Sequence, residues 1–110
     1  SEIIFAGGAS KSPLWSQILA DVLGMPVRVP VVKEATALGA AIIAGYGVGL
    51  YNSIEEGAKR TVKWDKVFTP NTDNRKVYDD LYETWKKVYA AQLKLVNEGV
   101  TKPMWVAPGL

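Results

Sequence analysis

Neither cysteine nor histidine occurs among the 110 residues. Without cysteine there is no disulfide framework, no thiolate nucleophile and no zinc–cysteine centre. Without histidine the chain offers no Ser-His-Asp or Cys-His catalysis and no imidazole metal ligand. Charge of one sign is equally scarce. Thirteen basic against eleven acidic residues leave a net +2, and the densest basic groups, Lys59, Arg60 and Lys63, then Lys86 and Lys87, form no stripe with interleaved aromatics. Nucleic-acid binding is therefore not expected. No long hydrophobic run exists either. The stretch Ala35 to Ile54 is nearly uncharged but holds four glycines, a poor membrane span and a better buried helix with a loop after it. No basic segment precedes an apolar run at the N-terminus, so neither secretion nor membrane association is expected, and a cytoplasmic location is.

What is present is ordinary globular composition, 48% hydrophobic and 22% charged, which argues against wholesale disorder. The length suits one domain or part of a larger one. The chain starts at Ser1 rather than Met, with Ile3-Ile4-Phe5 following at once, and this predicts a start inside a longer protein.

Punctuation along the chain predicts the elements. Glu2 to Ala6 is too short an apolar run for a helix and reads as a buried strand. Gly7 to Ser10 forms a tight turn of small residues. Ser12-Pro13 then starts a helix, with a hydroxyl at the N-cap and proline at the first helical position. Leu14, Trp15, Ile18, Leu19, Val22 and Leu23 recur at helical spacing as the expected buried face. Gly24 supplies a left-handed stop and Pro26 prevents resumption. Val27-Arg28-Val29 alternates as a strand does, closed by Pro30. Thr36 to Ala44 predicts a second helix, apolar all round and so buried, in which Gly39 suggests close packing. Ser53, with Glu56 three residues on, caps a short helix over Ile54 to Arg60. Lys63 to Thr69 alternates weakly, anchored by Trp64 and Phe68. A long helix spans about Asp73 to Asn97, its apolar face including Tyr78, Leu81, Tyr82, Trp85, Val88 and Tyr89, with Gly99 as its cap. Met104 and Trp105 are expected to pin the tail.

The segment Gly7-Gly8-Ala9-Ser10-Lys11-Ser12-Pro13, between a strand and a helix, is the candidate site. Glycines let a backbone approach a ligand, and a helix N-terminus attracts anions. A plain strand-to-helix turn explains the same residues, and the spacing fits neither G-x-x-x-x-G-K-[ST] nor G-x-G-x-x-G. Lys11 could neutralise a phosphate or simply be solvated. Glu34 could act as an acid/base group or buttress the following helix's N-terminus. Asp21 is placed on a solvent edge, and Trp15, Trp64, Trp85 and Trp105 are read as buried anchors. Neither paired carboxylates nor a metal cluster stands out, so no chemistry is assigned to the chain by itself.

The stretch from Phe5 to Gly24 resembles the adenosine-binding segment of the FGGY-family carbohydrate kinases. Glu34 to Ala41, about ten residues further on, looks like the family's next block, and the Gly45 to Leu50 loop follows in order. The resemblance implies an α/β fold, part of an actin-like (ribonuclease H-like) ATPase domain, with residues 1–110 forming the C-terminal portion of the nucleotide-binding domain. It implies ATP and Mg²⁺ as cofactors and transfer of the γ-phosphoryl group to a small sugar-like alcohol. By the same resemblance, Gly7 and Gly8 lie along the nucleotide phosphates, Ala9 is the small residue beside them, and Ser12 contacts adenine or ribose, where part of the family has a longer Asn. The catalytic base and the sugar pocket belong to a preceding domain, so no catalytic residue is expected here and the 110 residues by themselves are expected to be inactive. The region of Trp64, Trp85 and Tyr89 and the ending Trp105 to Leu110 look most like a branch acting on 4,5-dihydroxy-2,3-pentanedione. Xylulose kinases and other sugar kinases of the family are the alternative. A non-catalytic nucleotide-binding or interaction module, docking through the long helix, is the rival of another class.

Overall fold

A computed structural model describes residues 1–102; Met104, Trp105 and the rest of the predicted tail contact lie outside the described residues. The element order is β1 (Ile3–Ile4), a 3-10 turn (Gly8–Lys11), α1 (Pro13–Leu23), β2 (Val27–Pro30), α2 (Ala35–Gly47), α3 (Ile54–Thr61), β3 (Trp64–Phe68), a second 3-10 turn (Thr72–Asn74) and α4 (Arg75–Asn97). Two compact units result, Ser1–Arg75 and Lys76–Leu110.

The first unit is built on a three-stranded sheet in the order β1-β2-β3. β1 runs parallel to β2, pairing Ile3 with Val27 and Ile4 with Arg28, while β3 runs antiparallel to β2, pairing Val27 with Phe68 and Arg28 with Val67. The parallel pair needs a crossover, and α1 supplies it. Alternation along β2 puts Val27 and Val29 into the core and Arg28 on the other face, where its guanidinium lies 5.1 Å from the Trp64 ring centroid. Pro30 has no N–H to give to the ladder, and the register with β3 shifts between Val29 and Pro30. Ala20, Val27, Val29 and Phe68 form the core, with Ile3, Phe5 and Leu19 packed against it.

The predicted boundaries hold to within a few residues, and the terminators act as expected. Ser12 Oγ accepts from the Trp15 amide at 3.3 Å, with Pro13 opening α1. Gly24 is left-handed at φ 64°. The predicted Gly45–Leu50 loop begins later than expected. α2 continues through Gly47, and Gly49, at φ 78°, ends it by the Schellman pattern, with Gly49 N–H bonded to Tyr46 O and Leu50 N–H to Gly45 O. Ser53 caps α3, accepting from the Glu56 amide at 3.1 Å, while Glu56 Oε2 accepts from the Asn52 amide at 2.7 Å.

Burial departs from the expectations in several places, beginning with β1, expected as a buried strand, where Ile4 is exposed and Ile3 only half-buried. On α1 the residues that turn inward are small, Ser16 and Ala20, together with Asp21; Leu14 and Trp15 are exposed, Trp15 at 63%. Short side chains let the helix backbone approach the sheet; of the predicted stripe Leu19 still packs on the core, while Leu14, Trp15, Val22 and Leu23 are exposed. α2 is apolar all round, yet only Ile42 and Gly45 are buried along it. Close helix approach falls at other glycines than Gly39, where an added Cβ would meet nothing within 4 Å. At Gly45 it would lie 2.7 Å from Tyr51 Cε2, and at Gly57 it would lie 2.8 Å from both Ile42 Cγ2 and Tyr51 Cδ2. Trp64, too, is exposed rather than an anchor, leaving Phe68 as the buried residue of β3. An apolar cavity of about 260 Å³ lies between the sheet and α2, lined by Ile4, Pro30, Val32, Leu38, Ile42 and Trp64 among others.

In the second unit α4 ends at Gly99, φ 73°, by the same Schellman pattern, with Gly99 N–H on Val96 O and Val100 N–H on Leu95 O. No residue of α4 is buried, against the expectation of a core face, and Trp85 is 55% exposed. Its ring instead stacks on its helical neighbours, 5.9 Å from Tyr82 and 5.2 Å from Tyr89 between centroids.

Candidate functional site

The site forms where β1 gives way to α1. Gly7 adopts φ 85°, ψ −176°, a conformation open almost only to glycine. It swings the chain out of the sheet and straight into the 3-10 turn. Ser10, buried, fixes that turn by donating its hydroxyl to Gly7 O at 2.7 Å, and the Ser10 amide reaches the same oxygen at 3.1 Å. Gly7 itself gives its N–H to Lys33 O at 2.7 Å, binding the turn to the loop that follows β2.

This arrangement uses the Gly7 amide and leaves the next two. Among the described residues the amides of Gly8 and Ala9 make no hydrogen bond, and both residues are exposed. A Cβ on either Gly7 or Gly8 would meet nothing within 4 Å, so the space over the turn is open. Successive unpaired N–H groups in front of a helix start make a receptor for an anion. Ser12, half-buried, spends its Oγ lone pair on the α1 cap and keeps its O–H as a donor. The turn thus brings together the four residues singled out from the sequence, Gly7, Gly8, Ala9 and Ser12.

Lys11 and Glu34, each left with two readings by the sequence, pair with one another. Lys11 Nζ is 2.9 Å from Glu34 Oε1, with both side chains largely in solvent. Glu34 stands at the N-cap of α2 without a side-chain capping bond, so its carboxylate answers Lys11 rather than the helix end. Asp21 is a correction: it is 4% exposed, not at a solvent edge. Its carboxylate accepts from the Asn71 amide at 2.8 Å, from Asn74 Nδ2 at 2.8 Å and from Gln17 Nε2 at 2.7 Å. The Asn71 amide first, then the Asn74 side chain, hold its pKa below the ordinary carboxylate value against the opposing effect of burial. In sequence, an aspartate two residues from the end of a helix gives no sign of partners fifty positions away.

Among the described residues, no group of three acidic, histidine or cysteine side chains could hold a metal ion, and no helix is long and apolar enough to cross a membrane.

The strand, glycine turn, helix and returning parallel strand form one α/β unit. Residues 1–48 match the FGGY family of carbohydrate kinases, C-terminal domain. An autoinducer-2 kinase of Enterobacter sp. (strain 638) is 57% identical over 108 residues, covering 98% of this chain and 20% of that protein. Ligand-bound xylulose kinase from Lactobacillus acidophilus superposes with a TM-score of 0.71 at 24% identity, over 82% of this chain and 18% of that one. Plasmodium falciparum glycerol kinase with ADP gives 0.61 at 26% identity, over 82% and 18%. That family match covers residues 1–48, the likeness to autoinducer-2 kinases runs along nearly the whole chain, and the mixed helix and sheet is that of an actin-like, ribonuclease H-like kinase domain. It spans about a fifth of the length of the curated relatives it matches.

Proposed function

We propose that residues 1–110 belong to the nucleotide-binding domain of an ATP-dependent carbohydrate kinase, and that the Gly7–Ala9 turn receives the nucleotide phosphates. The unpartnered Gly8 and Ala9 amides under open space carry this reading. Gly8 lets the phosphate oxygens come against the backbone, and Ser12 offers its O–H to the nucleoside end. Phosphoryl transfer gives a protein little covalent work, and positioning and charge neutralisation dominate it. The chain's share is the positioning of ATP. Sugar binding, the base that takes the substrate proton and any Mg²⁺ contact rest on residues outside it. The favoured substrate is 4,5-dihydroxy-2,3-pentanedione, phosphorylated at its terminal hydroxyl, because the likeness of this chain to the matching fifth of autoinducer-2 kinases is far higher in identity than its likeness to xylulose kinase.

A chimera tests the assignment. This chain replaces the matching 108-residue segment of the Enterobacter relative, and ADP release is followed with the pentanedione as acceptor. Turnover near that of the unaltered relative is expected, with no ADP release from the 110-residue chain by itself. Gly8→Val in the chimera is expected to raise the KM for ATP and leave the acceptor KM in place. A folded chimera with no turnover, or a folded Gly8→Val variant with unchanged ATP kinetics, refutes the reading. In the parent kinase, kcat/KM at saturating ATP is expected to favour the pentanedione over D-xylulose and glycerol. The reverse order would overturn the substrate assignment.

A further inference from the structure

The loop of residues 31–34, between β2 and α2, is tied down more heavily than a short connection requires. Lys33 O accepts the Gly7 amide at 2.7 Å, so this loop is the outer wall of the glycine turn. The Lys33 side chain is only 17% exposed. Its ammonium donates to Pro30 O at 2.6 Å, closing the loop on itself, and to Asp65 Oδ2 at 2.6 Å, fastening the loop to β3. A main-chain bond, Val31 N–H to Lys63 O at 2.9 Å, ties the same two segments one step away. Lysine gives up several rotatable bonds to be held like this, and a solvated lysine would not.

We propose that Lys33 and Asp65 form a strut that sets the position of the Gly7–Gly8 turn, making both of them positioning residues for the nucleotide phosphates. The proposal rests on the phosphate-site reading above. Two of the three ammonium donors are committed to a carbonyl and a carboxylate, which turns Lys33 toward β3 instead of toward a ligand. If either side chain is lost, the loop keeps only the Val31 main-chain bond to the segment entering β3 and loosens beyond it. The carbonyl that receives the Gly7 amide moves with it, and the Gly8 and Ala9 amides lose their aim. Misplacement by about 1 Å can cost on the order of 100-fold in rate, so a modest release is enough to be read in ATP kinetics.

The test uses the chimeric kinase with Lys33→Met, Asp65→Asn, the double variant and Lys33→Arg. Each of the first two is expected to raise the KM for ATP about 5- to 20-fold, with the acceptor KM unchanged, as a displaced phosphate contact would. The double variant is expected to be no worse than the poorer single, because both break one interaction. Lys33→Arg, which can still reach the carboxylate, is expected to restore most of the affinity. In the 110-residue chain, the Gly7 amide is expected to exchange with solvent about tenfold faster in Asp65→Asn than in the unaltered chain. Effects that multiply in the double variant, or a loss in Lys33→Met far beyond that in Asp65→Asn, would make Lys33 a direct phosphate ligand and overturn the strut. Unchanged ATP KM in these variants, with Gly8→Val still impaired, would overturn the strut and leave the phosphate site standing. Unchanged ATP KM in Gly8→Val as well would end both. Asp65→Asn is nearly isosteric and exposed, and it carries the test should Lys33→Met not fold.

Discussion

Replacing Gly57 by alanine is expected to destabilise the protein, and replacing Gly39 by alanine to stabilise it. Both glycines lie in helices without a positive φ, so the usual gain from removing glycine, about 0.5–1 kcal/mol, applies to each. At Gly39 a methyl group meets nothing within 4 Å, and the gain should survive intact. At Gly57 the methyl would sit 2.8 Å from Ile42 Cγ2 and 2.8 Å from Tyr51 Cδ2. Ile42 is buried and β-branched, and the Tyr51 ring is half-buried, so neither can move aside freely. Overpacking of that kind costs about 1–3 kcal/mol, which outweighs the propensity gain and leaves a net loss of about 1 kcal/mol. The two variants should then differ by about 1.5–2 kcal/mol, or about 1–2 M in urea midpoint at a slope of about 1–1.5 kcal/mol/M. Far-UV circular dichroism of both at pH 7 reads the midpoints directly. A Tyr51→Ala background should shrink the Gly57→Ala penalty, since the two positions share a contact. If Gly57→Ala proves as stable as Gly39→Ala, the close approach of α2 and α3 around Tyr51 is wrong.

Two further outcomes follow from the burial pattern. Asp21 has a lowered folded-state pKa, so its stabilisation is present above the unfolded value near 4 and is lost as pH falls through the lower folded value. Asp21→Asn should therefore lower the urea midpoint at pH 7 and should flatten the loss of stability seen below about pH 4 in the unaltered chain; an identical acid limb in the variant would count against the Asn71 and Asn74 contacts. On α4, Trp85→Ala should lower stability by only about 1 kcal/mol, the worth of its stacking on Tyr82 and Tyr89, and Lys86→Ala by less than about 0.5 kcal/mol. A loss of 3 kcal/mol or more for Trp85→Ala, the ordinary cost of emptying a buried aromatic site, would contradict its exposure.

Signals confined to one or two turns of chain were legible in the sequence. Ser12-Pro13, Gly24, Ser53 and Gly99 act through their own backbone angles and the amides within four or five residues, so their effect is written locally. The glycine turn belongs to the same class, its geometry being fixed between Gly7 and Ser12. Which side of a helix is buried is a different kind of fact. On α1 the bulky stripe of Leu14 and Trp15 has the periodicity of a core face, but the sheet lies against Ser16 and Ala20, and periodicity weighs size where close approach demands the lack of it. The Lys33–Asp65 pair is 32 positions apart and the Asp21–Asn74 pair 53. No composition or spacing rule connects such residues before the sheet has brought them together.

The Asp21 knot also bears on the order in which the molecule assembles. Its bonds to Asn71 and Asn74 close loops of 50 and 53 positions, and closing so long a loop is costly until other contacts have shortened it. The β2–β3 ladder provides that shortening, since pairing Val27 with Phe68 carries the chain end to within a few residues of Asn71. The knot should therefore tie only after the ladder has formed, as a latch on a sheet already built. Weakening it would hasten unfolding and leave the rate of folding almost unchanged.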